Sequence, residues 1–128
     1  MREILFRGKR KDNGEWIEGF YFQKPNPFSE DGLPVTHAIS DLPPFGFNVI
    51  PETVGQYTGL TDKNGKKIFE GDIVSDTVDI FTVVFDEQCR FMMTGECDRF
   101  LVHCDEDCFV LGNIYDNPEL LEVNKNDR

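Results

Sequence analysis

Residues 56–74 read QYTGLTDKNGKKIFEGDIV, and this stretch indicates the fold class. The run Asp62–Gly65 is a turn signal, because Asn-Gly favours the positive φ angles of a type I′ hairpin. Runs rich in strand-forming residues flank it at Thr53–Thr58 and Lys67–Phe69. Gly71 then permits a bend before the next apolar run. The stretch therefore predicts a tight hairpin at Asn64-Gly65 with strands on both sides.

Short strand-like runs recur along the rest of the chain, and no long window shows a helical apolar period. Asp12-Asn13-Gly14 is a second hairpin signal. Asn117–Leu121 predicts one short helical turn at the C-terminal end, because Asn favours the N-cap and Pro the first helical position. We therefore expect an all-β barrel or sandwich. The other predicted strands are Glu3–Arg7, Trp16–Phe22, Val35–Ser40, Asp72–Asp76, Ile80–Asp86, Arg90–Thr94, Arg99–Cys104 and Phe109–Tyr115.

Residues 23–52 differ in composition from the rest, since they hold six of the seven prolines together with Phe28, Phe45 and Phe47. We expect this segment to be a Pro-rich arm or long loop of a single domain spanning residues 1–128, with a disordered tail at 122–128. Three exposed phenylalanines would form a patch that monomers seldom tolerate. They are therefore the candidate interface of a homo-oligomer. A partner-binding loop is the alternative.

Charge is unevenly distributed along the sequence. The chain has 13 Lys and Arg against 24 Asp and Glu, a net charge of −11, yet the first 11 residues alone carry +4. Phosphate contacts dominate nucleic-acid affinity, so we expect no nucleic-acid partner for so acidic a body. Solubility or a basic protein partner explains the charge better. A single-strand binder remains an alternative, using the basic strip and two aromatic residues. Its residues would be Arg2, Arg7, Lys9, Arg10 and Lys11 with Trp16 and Tyr21.

Motifs for catalysis and cofactor binding are missing from the sequence. It contains no P-loop, dinucleotide-binding, nucleophile-elbow or HExxH pattern, and only two histidines, His37 and His103. The four cysteines lack the paired short spacing of zinc ribbons. They are Cys89, Cys97, Cys104 and Cys108. We therefore expect no enzyme activity, no cofactor and no metal, with the cysteines packed as small apolar side chains.

Three segments resemble the YopX family, small proteins of bacteriophages and prophages. Gln56–Val74 is similar to the central family motif, Val110–Leu121 to its C-terminal motif, and Arg2–Gly8 to its first strand. The resemblance implies a mostly β, phage-encoded protein whose biochemical role is not established, and it supplies no catalytic residue. In physical terms the motif residues Asn64, Gly65, Gly71 and Gly112 serve turns and bends. Two small barrel-like, SH3-like antiparallel sheets, extended by the Pro-rich arm, would satisfy this pattern.

These observations together favour a non-enzymatic, self-associating interaction module in the cytoplasm of a bacterial host. The N-terminus is charged and then strand-like, which is not a secretory signal, and no apolar run reaches the length of a membrane helix. Two alternatives stay open. One is an acidic inhibitor or mimic acting on a nucleic-acid-binding protein of host or phage. The other is the single-stranded nucleic-acid-binding barrel.

The cysteine interpretation gives a first testable prediction. Purified protein is expected to contain no stoichiometric zinc, and EDTA should leave its melting temperature unchanged, because a structural zinc contributes folding free energy directly. Elemental analysis and a thermal melt measure both. One zinc per chain would contradict the prediction and would assign Cys97, Cys104, Cys108 and His103 to a metal site.

Overall fold

Eleven short strands and the turns between them make up almost all of the described chain. The computed structural model describes residues 4–25, 35–42, 45–76, 79–88, 90–95, 99–100 and 108–121. The strands are β1 (Phe6–Lys9), β2 (Trp16–Pro25), β3 (Val35–Leu42), β4 (Phe45–Asn48), β5 (Gly55–Thr61), β6 (Lys67–Phe69), β7 (Asp72–Ser75), β8 (Ile80–Phe85), β9 (Phe91–Thr94), β10 (Arg99–Phe100) and β11 (Phe109–Asn113). The predicted all-β class is confirmed.

The chain divides into two compact units, residues 1–56 and 57–128, so the expected single domain comprises two parts. The boundary falls inside β5. The first residues of β5 pair with β1, where Gly55 lies opposite Arg7, and its later residues pair with β6, where Tyr57 lies opposite Phe69. All strand pairs are antiparallel, as short hairpin connections require.

The first unit is a sheet that curls on itself. Its strands run in the order β4-β3-β2-β1. A bridge between Arg10 and Val49 nevertheless joins the end of β1 to the segment after β4. Gly8 lies inside the curl, where a Cβ would sit 3.2 Å from Ile39 Cδ1. Ile39 and Val49 are fully buried there. The sheet is barrel-like, although the described strands form no closed barrel.

Much of the segment expected to be an arm or loop belongs to this sheet. β2 continues to Pro25, and β3 pairs with it over six residues, from Ser40 opposite Phe20 to Val35 opposite Pro25. β4 adds a further strand, and a 3₁₀ turn follows at Pro51–Thr53. Val35–Ser40 forms the strand predicted there, and the expectation of an arm or long loop is corrected for the strands at residues 35–42 and 45–48. The remaining residues of the segment, and the predicted tail at 122–128, lie outside the description.

The second unit contains a five-stranded sheet in the order β10-β9-β8-β7-β11. Alternate side chains on these strands enter one core, as the two-residue period of a strand dictates. Ile68 of β6 and Cys108, which precedes β11, join them. The fully buried members of that core are Ile68, Val74, Phe81, Val83, Met93 and Cys108. The chain ends its described part in the predicted helical turn at residues 119–121, where the Leu121 N–H donates to the Pro118 carbonyl.

A buried carboxylate joins the β5–β6 hairpin to β11. Asp62 is 3% exposed. Its Oδ1 accepts the N–H groups of Asn64 and Lys66, both at 2.9 Å, and its Oδ2 accepts that of Val110 at 2.9 Å. Beside it the Lys63 N–H donates to the Cys108 carbonyl at 2.9 Å. The hairpin loop is therefore attached to residues more than 40 positions away through the Asp62 carboxylate and the Lys63 N–H.

The ionisation of Asp62 follows from this geometry. Burial alone would raise the pKa of its carboxyl, but the N–H groups of Val110, Lys66 and Asn64, with the Lys66 charge, outweigh burial and hold the pKa below 3.8. A folded-state pKa below the unfolded value stabilises the fold above the unfolded pKa. That contribution is lost as the pH falls through the folded pKa.

We predict that Asp62→Asn lowers the free energy of unfolding by about 1–3 kcal/mol at pH 7, because an amide nitrogen offers no lone pair to one of the three donors. Urea denaturation between pH 2 and pH 7 measures this loss. The difference between wild type and variant should shrink as the pH falls below the unfolded pKa of 3.8 and through the lower pKa of the folded state. Glu119→Gln, which neutralises an exposed acid, is the control. A constant difference down to pH 2 would contradict the assignment.

Candidate functional site

The predicted Asn-Gly turn occurs where expected but has a different form. The Gly65 N–H donates to the Asp62 carbonyl, and the Asp62 N–H donates to the Lys66 carbonyl. The loop therefore has three residues with Gly65 at φ +82°, the pattern of a type I turn followed by a bulge. The two-residue type I′ turn was the wrong prediction. The Asp62 carboxylate explains the change, because it takes the N–H groups of Asn64 and Lys66 itself.

The Asn13-Gly14 hairpin also has a longer loop than predicted. The Arg10 N–H donates to the Glu15 carbonyl and the Gly14 N–H donates to the Arg10 carbonyl, which leaves four residues in the loop. Gly14 has a φ of +74°. Here too a local side chain takes a backbone donor, since Asn13 Oδ1 accepts the Glu15 N–H at 2.9 Å.

Gly71 and Gly112 both lie against the closing turn that follows β11. Gly71 has a φ of +92°, and a Cβ there would sit 3.1 Å from the Tyr115 ring. A Cβ on Gly112 would lie 2.7 Å from Asn117 Cγ, so only glycine fits. The Asn117 side chain accepts the Asn113 N–H, and the Asn113 side chain accepts the N–H groups of Tyr115 and Asp116. The four motif residues therefore serve turns and close packing.

Among the described residues no group of three or more His, Cys, Asp or Glu side chains is placed to hold a metal. Cys108 is buried in the core of the second unit. Cys89, Cys97 and Cys104 lie outside the description, as does His103. The expectation of no zinc site therefore stays a prediction.

The basic strip is only partly assembled on one surface. Arg7 and Lys9 lie over the Trp16 ring, with Arg7 Cζ at 4.7 Å and Lys9 Nζ at 5.6 Å from its centroid. Tyr21 is an odd number of residues from Trp16 along β2 and so faces the opposite side. Its hydroxyl lies 2.5 Å from His37 Nδ1. Arg2 lies outside the description.

The first unit carries a groove with a volume of about 430 Å³ beside β4. It is lined by Lys11, Asp12, Lys24, Gly46, Phe47 and Asn48. Three separate segments supply these residues, which the curl of the sheet brings together. Gly46 lets β4 approach β3 closely, because a Cβ there would lie 2.8 Å from the Ile39 carbonyl oxygen.

Phe47 is the aromatic wall of the groove and is 46% exposed. The Arg10 guanidinium stacks on its ring at 3.8 Å and forms a two-pronged pair with Asp12 at 2.9 and 2.5 Å. Hydrogen bonding from Arg10 lowers the pKa of the Asp12 carboxyl below 3.8, against a smaller desolvation effect. This Arg10–Asp12 ion pair lies next to Lys11, and Lys24 lines the same groove.

Of the three candidate interface residues, the structure places only Phe47 at an accessible surface. Phe45 belongs to β4, but its side chain is not described, and Phe28 lies outside the described residues. Sequence reasoning did not place Lys24 in the same groove as Phe47, because no local pattern links two residues on different strands. It also missed Asp62, although Asp before a turn that ends in Gly is a known side-chain acceptor.

Comparisons with known proteins agree with this architecture. The model of the family described as YopX protein matches residues 5–122. The crystal structure of protein EF1440 from Enterococcus faecalis superposes with a TM-score of 0.60 and 23% identity, over 94% of this chain and 99% of that one. At that identity the likeness shows the fold alone. No curated protein matches the sequence. The described residues include no helix with the length and apolar character to cross a membrane.

The turn geometry gives a prediction for Gly65. Gly65→Val is expected to lower the free energy of unfolding by about 1–2 kcal/mol, because a β-branched residue is strained at positive φ even though nothing lies within 4 Å of its Cβ. Gly65→Asn should cost less, since Asn tolerates this region. Urea denaturation of the two variants measures the difference. Equal unfolding midpoints for wild type and Gly65→Val would contradict the turn assignment.

Proposed function

The chain belongs to the YopX family, and we propose that it is a non-enzymatic protein-interaction module that associates with itself through the first unit. The observation that supports this most directly is Phe47, an aromatic side chain 46% exposed on β4, the end strand of its sheet. Interfaces concentrate their binding energy in a few aromatic and arginine side chains. Phe47 with Arg10 stacked on it has the composition of such a centre.

A second exposed aromatic residue of the same unit adds to this support. Phe20, on β2, is 56% exposed. Register places it opposite Ser40, whereas Phe47 lies opposite Ile39, so the two rings occupy different faces of the sheet. Burying one phenylalanine contributes about 1.5–3 kcal/mol. Two such surfaces on one copy are consistent with assembly through more than one contact.

The wider setting we propose follows the family. The protein would act as an accessory protein of a phage or prophage in the bacterial cytoplasm, without catalysis or a cofactor. The Asp62 and Asn113 side chains both accept backbone N–H groups. This use is structural.

We predict that wild type forms oligomers at micromolar concentration and that Phe47→Ala weakens their association at least tenfold while the melting temperature changes little. The physical reason is that a half-exposed ring contributes little to its own core but much to a buried interface. Light scattering over a dilution series measures the association. Leu111→Ala removes another exposed apolar side chain, 39% exposed on β11 in the second unit, and should leave association unchanged.

The double variant Phe45→Ala/Phe47→Ala extends this test to the neighbouring ring. A strictly monomeric wild type would contradict self-association. A double variant that unfolds without any change in oligomeric state would place both rings in the core of the chain. Either result removes the candidate interface.

A further inference from the structure

Two Asn-Gly pairs stand in exposed loops of this chain, Asn13-Gly14 in the first unit and Asn64-Gly65 in the second. Asparagine is chemically labile, because the backbone nitrogen of the next residue attacks its side-chain carbonyl carbon. A following glycine hinders that attack least, since it has no side chain. Both pairs therefore have the sequence that favours deamidation, and the surroundings of each pair decide its rate.

The two attacking nitrogens are similarly placed. The Gly14 N–H donates to the Arg10 carbonyl and the Gly65 N–H donates to the Asp62 carbonyl, both at 3.0 Å. Both glycines have positive φ angles, +74° and +82°. Each nitrogen must therefore give up one backbone hydrogen bond before it attacks, so the glycines give no reason for the two sites to differ.

The two asparagine side chains differ in how they are held. Asn13 Oδ1 accepts the Glu15 N–H at 2.9 Å, and Asn13 Nδ2 donates to the Glu15 carboxylate at 3.3 Å. These hydrogen bonds resist rotation of the amide toward the Gly14 nitrogen. Asn64 uses its backbone N–H, which donates to Asp62 Oδ1, but its side chain makes no hydrogen bond with any residue that the structure describes. Its amide is therefore able to turn toward the Gly65 nitrogen.

We infer that Asn64 is a site of spontaneous deamidation in the folded protein and that Asn13 is protected. The Gly65 nitrogen loses its proton and attacks Asn64 Cγ, and the new C–N bond closes a succinimide ring. The bond from Cγ to Nδ2 breaks, and the amide nitrogen leaves as ammonia. Water then adds to either ring carbonyl and breaks its bond to nitrogen, which yields aspartate or isoaspartate at position 64. Self-association plays no part in this reaction.

The isoaspartate product changes the loop that Asp62 holds. Its main chain runs through the former side chain, so the path from position 64 to Gly65 is one carbon longer. One Asp62 oxygen accepts the N–H groups of Asn64 and Lys66, and the other accepts that of Val110. The longer loop does not fit this arrangement, and the new carboxylate repels the Asp62 carboxylate. Deamidation at Asn64 therefore loosens the attachment of the loop to β11.

The test is incubation of the purified wild type at mildly alkaline pH, with peptide mapping by mass spectrometry at intervals. Asn64 should deamidate about fivefold faster than Asn13, because the Asn13 side chain must first break its hydrogen bonds. Asn48 is exposed and precedes the β-branched Val49, so it is the internal control and should stay unreacted. In concentrated urea the rates at Asn13 and Asn64 should become similar. Equal rates in the folded protein, or an unchanged ratio in urea, would overturn the assignment.

Glu15→Ala tests the protection of Asn13, since it removes the carboxylate that accepts from Asn13 Nδ2. The variant should deamidate about twofold faster at Asn13 and at the wild-type rate at Asn64. No change at Asn13 would contradict protection by these hydrogen bonds.

The effect on the loop is measured on the isoaspartate form, separated from unreacted protein by anion exchange. Its melting temperature should lie several degrees below those of wild type and of Asn64→Asp, which adds the same charge without the extra main-chain carbon. An isoaspartate form that melts with Asn64→Asp would overturn the loosening of the loop.

Discussion

The second unit depends on one buried carboxylate with three backbone donors. Asp62 shapes its own hairpin loop by holding Asn64 and Lys66, and it attaches that loop to β11 through Val110. Desolvating a charged group is costly unless its hydrogen bonds are replaced, and here backbone N–H groups replace them. The interaction thus couples local turn geometry to a long-range strand contact. Two sequence motifs that lie far apart in the chain therefore meet in one junction.

The closing turn after β11 contacts Gly71, which follows the β5–β6 hairpin. The Gly71 N–H donates to the Val83 carbonyl, its carbonyl accepts the Ile114 N–H, and the Tyr115 ring covers its α-carbon. Gly112 leaves room for the Asn117 side chain, which Asn113 needs as an acceptor. Each glycine is required because a larger residue would clash with a side chain, Tyr115 at Gly71 and Asn117 at Gly112. The two glycines therefore serve close packing and the shape of the turn.

Most strand positions could be predicted from the sequence because they follow local composition. The exception is β4, which was not predicted, and the second part of the predicted strand Arg99–Cys104 lies outside the described residues. Loop lengths could not be predicted in the same way. The Asp62 and Asn13 side chains accept backbone N–H groups of their own loops, which a rule based only on the Asn-Gly pair does not consider. The Pro-rich segment failed as an arm for a related reason. Its described prolines stand at element ends, with Pro25 closing β2 and Pro51 opening the 3₁₀ turn, where a missing N–H costs nothing. Proline count alone does not distinguish an arm from strands with proline at their ends.

The groove lay beyond sequence reasoning because it exists only after the first sheet curls. The bridge from Arg10 to Val49 brings the β1–β2 loop, the end of β2 and β4 together, so Lys11, Lys24 and Phe47 become neighbours. None of these three residues belongs to the segments that resemble the family motifs. Those segments fold mainly into the junction of the second unit and carry information about the fold. The groove is lined by residues outside those segments, so membership of the family identifies the architecture alone.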